Sequence, residues 1–205
     1  MAMTLRIVIP PHPLISHWLT ILRTNTTPSA IYATGFFQIG KWLTYEALRD
    51  WIPKSTIEIT TEKGTTQGTL IESSIKIYVI SESAGALELW LGAREILPNA
   101  NLSIGGVPEN IESNSGVVIF LDQITNGEQL IKILNSLKEQ NVTSERLRVI
   151  TVVASSKGLK SLGENYPDLT IHAACIDEEL TSNNEIVPGI GNPTTRLNTK
   201  IKHKR

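Results

Sequence analysis

The residues best suited to chemistry fall in two short stretches. The first runs Val117-Val118-Ile119-Phe120-Leu121-Asp122-Gln123-Ile124-Thr125-Asn126-Gly127-Glu128, an apolar run closed by a carboxylate and followed by a hydroxyl, an amide and a glycine. Where such a loop opens a helix, its unpaired N–H groups attract an anion, and a carboxylate at the strand end suits a ribose hydroxyl or a magnesium ion. The same letters also spell an ordinary strand-to-helix turn, with Thr125 or Asn126 as cap and Glu128 favourably set against the helix dipole. Residue types alone leave both readings open. The second stretch, Ile186-Val187-Pro188-Gly189-Ile190-Gly191-Asn192-Pro193, carries two glycines and two prolines. Its amides and carbonyls suit a close approach to a flat ligand, or a plain turn.

Other reactive side chains point to structure. His12 and His17 are five positions apart, which does not put them on one helix face, so they are expected to pack rather than to share a metal. No metal site is expected. Cys175 is the single cysteine, which excludes an intramolecular disulfide and a cysteine-based zinc site and fits a reducing compartment. It lies with His172 at the end of an expected strand and reads as scaffold. Trp18, Trp42, Trp51 and Trp90 fall in or beside expected helices and read as core or dimer contacts.

The elements that must position these stretches follow from periodicity. Leu5 to Ile9 reads as a short strand and Leu14 to Arg23 carries a helical stripe. A second helix is expected from Thr27, as cap, with Pro28 in its first turn, through to Asp50. Alternating β-branched residues around Gly64 and Gly68 predict an extended arm over about 54–74. Thereafter apolar runs at 75–80, 102–104, 117–121 and 147–153 are separated by helical segments at 84–97, 127–140 and 156–165. Short Val and Ile runs between amphipathic helices are the mark of βαβ units, whose parallel sheet is buried on both faces. The expectation is one α/β domain over 1–205, doubly wound, with its ligands at loops leaving the carboxyl ends of the strands.

The 205 residues suffice for a full core, and 40% apolar with 19% charged residues excludes a disordered or collagen-like chain. Nineteen basic against twenty acidic residues give a formal charge of −1, without the basic excess that nucleic acid or an anionic membrane requires. Residues 1–9 hold too short an apolar run for a signal peptide or a membrane span, and the tail from 200 to 205 reads as basic and frayed. Isoleucine stands at 26 of 205 positions, as an AT-rich bacterial or organellar genome would favour.

Four ordered blocks carry a family likeness. His12-Pro13-Leu14-Ile15-Ser16-His17 with Leu19-Thr20-Ile21-Leu22-Arg23, Tyr45-Glu46-Ala47 with Arg49-Asp50, Ala173-Ala174 with Ile176-Asp177-Glu178-Glu179-Leu180, and Ile186 to Gly191 resemble the uracil phosphoribosyltransferases. The resemblance implies a type I phosphoribosyltransferase fold, a hood at about 174–199 and a β-arm that supports a homo-oligomer. It implies the reaction of uracil and phosphoribosyl pyrophosphate with magnesium to give UMP and pyrophosphate. By the same resemblance Asp122, Thr125 and Gly127 belong to the ribose-phosphate loop, Ile186, Gly189 and Gly191 to the base site, and Arg196 to the substrate-binding segment that follows it.

Four departures oppose that reaction. The family's Gly-Asp-Ala-Gly-Asp-Arg is here Gly191-Asn192-Pro193-Thr194-Thr195-Arg196, which keeps the arginine and loses both carboxylates. The ribose-phosphate loop, Ala-Thr-Gly-Gly-Ser in the family, is here Thr125-Asn126-Gly127-Glu128 and shorter. The family's phosphate-binding hydroxyl falls on Glu128 or Gln129, depending on where the gap is set; if Glu128 faces the site, an acid 4 Å from a phosphate charge repels it by about 4 kcal/mol at an effective dielectric of 20, about a thousandfold in affinity. The family's Leu-Arg-Ala-Gly pyrophosphate loop is Ser81-Glu82-Ser83-Ala84-Gly85, and its long flexible loop shrinks to Gly105-Gly106-Val107-Pro108. The expectation is a divergent homologue in bacterial cytosol or plastid stroma that binds uracil, UMP or a related small molecule, catalyses feebly or not at all, and needs Mg2+ only if active. The alternatives are a working enzyme with altered loops and a protein-interaction scaffold.

Overall fold

The computed structural model describes residues 4–97 and 99–198; the basic tail and the last residue of the expected hood lie outside them. Among the described residues, six parallel strands form one sheet in the order β1-β8-β7-β6-β4-β5. They are β1 (Arg6–Val8), β4 (Ile77–Ser81), β5 (Asn101–Ile104), β6 (Gly116–Ile124), β7 (Leu147–Ser155) and β8 (Thr170–Asp177). Two further strands, β2 (Lys54–Thr61) and β3 (Gly64–Ile71), pair with each other as the arm. Every residue of the central strand β7 is buried, as its near-continuous apolar run requires of a strand covered on both faces.

One face is covered by α1 (Pro13–Arg23), α2 (Ser29–Leu48) and α3 (Ala84–Ala93), whose Tyr32, Phe36, Ile39, Leu43 and Leu89 are fully buried against Val79, Phe120 and Val152. The other is covered by α4 (Glu128–Glu139) and α5 (Ser156–Asn165), which bury Leu130, Ile133, Leu134 and Leu162 against Ile119 and Val149. The sheet is therefore doubly wound, as its sequence predicts.

Boundaries moved where local chemistry intervened. Helix α2 starts at Ser29 with Pro28 rather than Thr27 in the cap position, because the Thr27 hydroxyl donates to the Ile21 carbonyl (2.8 Å) and is not turned to the helix. Helix α3 ends at Ala93 rather than 97, in keeping with Pro98, whose ring disfavours helical backbone before it. Strand β6 continues past Asp122 to Ile124, so this carboxylate lies inside the strand. The registers Ser81↔Phe120, Ser81↔Ile104, Ile124↔Ala154 and Ser155↔Asp177 bring the carboxyl ends of five strands along one edge. The loops that follow them build the site.

Candidate active site

Two regions meet at this edge: a cradle after β4 and β6, and a hood after β8. In the cradle, Gly127 has φ 85°, left-handed backbone that glycine adopts without strain, and turns the chain into α4. The N–H of Glu128 donates to Asn126 Oδ1 at 3.2 Å, so the first helical amide is satisfied within the loop. The Thr125 carbonyl accepts the Ser155 hydroxyl and lies against Gly158, where a Cβ would come within 2.3 Å of it. Beneath the loop, a gap of about 10 Å³ lies among Leu121, Ile124, Thr125, Gly127 and Leu130, room for a water at most.

Acid stands beside the start of α4. Glu82 accepts a 3.3 Å hydrogen bond from Gln129 Nε2, which joins the loop after β4 to the start of α4. Ser83, in place of a cation, caps α3 by accepting from the Ala86 N–H at 3.1 Å. Asp122 is packed on Gly85, where a Cβ would stand 2.7 Å from its own, and accepts from the Gln123 N–H at 2.9 Å. Burial holds its carboxyl above the usual range, against the hydrogen bonds from Ser83 and the Gln123 amide.

The connection from β5 to β6 is short and tied down. Gln140, after α4, donates to the Pro108 carbonyl (2.7 Å) and accepts from the Ile111 N–H (3.1 Å), while Arg146 donates to the carbonyls of Ser115 (2.6 Å) and Glu112 (2.7 Å).

The hood comprises β9 (Glu179–Leu180), β10 (Ile186–Val187), the Pro188–Asn192 turn and α6 (Pro193–Leu197). Arg23, the last residue of α1, grips Asp177 with two bonds of 2.9 and 2.7 Å and also donates to the Gly189 carbonyl (2.9 Å). Asp177 accepts in turn from the Gly189 N–H (2.9 Å). Burial works to raise the Asp177 pKa, but Arg23 and the Gly189 amide overcome it and hold the group below its ordinary value. Arg196 donates to the carbonyls of Leu22, Thr24 (2.5 Å) and Ile190 (2.8 Å) and lies 3.9 Å above the Tyr32 ring. The Tyr32 hydroxyl donates to the same Ile190 carbonyl at 3.0 Å. Next to Arg23, burial pushes the Cys175 thiol up to about 11, so it is protonated at neutral pH.

Tyr32 links the two regions: its ring meets Phe36 edge-on at 5.2 Å, and Phe36 packs on Gly85 beneath Asp122. Asp122, Thr125 and Gly127 thus gather in the cradle, and Ile186, Gly189, Gly191 and Arg196 in the hood. Sequence reasoning gave no role to Arg23, Asp177 or Tyr32, although Arg23 and Asp177 stood inside the quoted blocks. Neither Thr125 nor Asn126 is the cap of α4, which is Gly127; Asn126, one position before it, instead closes an Asx turn onto the Glu128 N–H. His12 caps α1 through Nδ1, accepting from the Leu14 N–H at 3.2 Å, and stacks on Trp42 with ring centroids 6.0 Å apart.

Residues 8–198 match the family model described as uracil phosphoribosyltransferase. The chain belongs to that family. A relative named uracil phosphoribosyltransferase from Synechococcus elongatus is 34% identical over 213 residues, covering 96% of this chain and 98% of its own. Another of that name, from a Nostoc species, is 30% identical and covers 96% and 99%. Among solved structures, the AQ2163 protein of Aquifex aeolicus superposes with a TM-score of 0.79 at 25% identity, over 93% of this chain and 97% of that one. The α/β expectation, with a parallel sheet of type I phosphoribosyltransferase form, holds. No helix among the described residues is long and apolar enough to cross a membrane.

Proposed function

We propose that the hood binds uracil or a closely related pyrimidine, and that transfer of a phosphoribosyl group is weak or absent in this member of the family. The observation that carries the second half is the occupied loop amide: Asn126 Oδ1 accepts from the Glu128 N–H, the first amide of α4. A phosphate entering there would have to displace the Asn126 side chain beside the carboxylates of Glu82 and Glu128, with no arginine in the 81–85 loop to offset them. In phosphoribosyl transfer, stabilising the departing pyrophosphate and the cationic sugar supplies most of the rate, so these losses act on the step that matters most. The tied 105–115 connection further favours a fixed rim over a closing lid.

Magnesium does not find a ready protein site here. Among the described residues no three carboxylate, histidine or cysteine side chains converge to hold a metal. Asp122, Thr125 and Gly127 are read as remnants of a ribose-phosphate site, and Ile186, Gly189 and Gly191 as the base-facing hood. Arg196 is read as a clamp on the hood, since three of its five N–H donors go to backbone carbonyls.

A homo-oligomer fits the arm, whose two strands are almost wholly exposed with Ile59, Leu70 and Ile71 in solvent; an isolated two-stranded ribbon is at best marginally stable. The cyanobacterial relatives favour bacterial cytosol or plastid stroma.

The test mixes protein, uracil, phosphoribosyl pyrophosphate and magnesium, with chromatographic detection of UMP. Uracil is expected to bind in calorimetry while UMP stays at background; turnover at micromolar protein sinks the proposal and supports the active-enzyme alternative. Asn126→Gly with Glu128→Ser and Glu82→Arg reopens the cradle and is expected to raise the affinity for inorganic pyrophosphate by about tenfold or more, each removed repulsion being worth about 1 kcal/mol or above. An unchanged affinity would mean that phosphate is not excluded by these residues.

A further inference from the structure

The two arginines behind the hood do more than tie it down. A peptide group transmits polarisation: when its carbonyl accepts a strong, charge-assisted hydrogen bond, the N–H on its other side becomes a better donor. The Gly189 carbonyl accepts Arg23 Nη1 at 2.9 Å, and the N–H of that same peptide belongs to Ile190. The Ile190 carbonyl accepts both Arg196 Nη1 (2.8 Å) and the Tyr32 hydroxyl (3.0 Å), and the N–H of that peptide belongs to Gly191. Neither the Ile190 N–H nor the Gly191 N–H donates to any described residue, although Ile190 is 1% exposed. An unpaired amide on so buried a residue costs stability unless something else accepts from it.

The neighbouring peptide is biased the other way. Its Gly189 N–H donates to the Asp177 carboxylate, which strengthens the Pro188 carbonyl as an acceptor, and no described residue donates to that carbonyl. Two strengthened donors and one strengthened acceptor lie within four residues. That set suits an imide edge, in which two carbonyls flank an N–H; the amino, imino and carbonyl edge of cytosine offers a different order.

We propose that Arg23, Arg196 and Tyr32 are positioning residues for base recognition: acting through the Gly189 and Ile190 carbonyls, they strengthen the Ile190 and Gly191 N–H donors that receive the carbonyl oxygens of a pyrimidine imide. The proposal rests on the reading that the hood takes such a base. Tyr32 is the soft place to test it, because Tyr32→Phe removes one donor to the Ile190 carbonyl and leaves the ring on Phe36 and under Arg196.

In calorimetry Tyr32→Phe is expected to weaken uracil about fivefold to tenfold. It is also expected to narrow the preference for uracil over 4-thiouracil, whose sulfur is the weaker acceptor. Simple loosening of the hood would weaken both ligands in proportion, and that outcome overturns the proposal. NMR of the ligand-free protein separates this failure from failure of the base-site reading. Tyr32→Phe is expected to move the Gly191 amide proton upfield and Arg23→Lys to move that of Ile190, each with less effect on the other. If wild-type protein does not bind uracil, the base site falls, and the amide shifts still decide whether the polarised peptides exist; unmoved or uniformly moved shifts reject them.

Discussion

Gly92→Ala is expected to lower the unfolding free energy by about 3 kcal/mol, and for a chain of this length the melting temperature by about 6–12 °C. A Cβ at Gly92 would stand 1.8 Å from the Phe37 carbonyl oxygen and 2.7 Å from its carbon. The contact is reciprocal, since a Cβ at Gly40 would stand 2.1 Å from the Leu89 carbonyl oxygen. Each obstacle is backbone, so no side chain turns aside, and α2 and α3 must move apart. That separation opens the layer formed by Phe36, Ile39, Leu43 and Leu89, all fully buried. Alanine's better helix propensity offsets about 1 kcal/mol at most. Gly106→Ala is the control, because nothing lies within 4 Å of a Cβ there and it should melt with the wild type. Equal melting of Gly92→Ala and wild type would refute the close helix approach. The same contact sets the loop after β4, because α3 carries Gly85 against Asp122 and Phe36.

Such a contact was not readable from the sequence, where Gly40 and Gly92 stand far apart with no shared motif. The strands were readable, because a strand covered on both faces has few choices other than the Val and Ile runs of β6 and β7. The helices α4 and α5 were readable from their stripes. The cradle was half-readable: Asn126 two residues before Glu128 is a local hydrogen-bonding pattern, whereas the Ser155 contact to Thr125 depends on how β7 lies beside β6. The hood clamp was hidden for the same reason. Arg23 and Asp177 are 154 positions apart, and only the return of β8 beside α1 brings a guanidinium onto a carboxylate and a turn amide at once. Residues that act through local backbone leave a trace in sequence; those that act through packing across layers do not.

That returning strand also sets how the protein responds to acid. His172, in β8 between Val8 and Ile150, is 4% exposed, and its Nδ1 has no partner. Burial first, and then the charges of Arg148 and Arg6, push its pKa down to about 4, against the pull of Asp50 and Glu46. Unfolding returns the imidazole to about 6.5, so below that value the unfolded chain binds the extra proton and acid favours unfolding. The loss grows as pH falls from 6.5 to 4 and reaches about 3 kcal/mol, one pKa unit being worth about 1.4 kcal/mol. Asp177 works in a separate window: its pKa is depressed, so its contribution is present above the unfolded carboxylate value of about 3.9 and fades only as pH drops through the lower folded one. Between pH 7 and 5 the hood pair therefore stays ionised while His172 already lowers global stability. Urea titrations across this range should show a falling midpoint in wild type and a much flatter one in His172→Phe, with uracil affinity nearly constant in both. Parallel slopes in the two proteins would mean that His172 is not the group responsible.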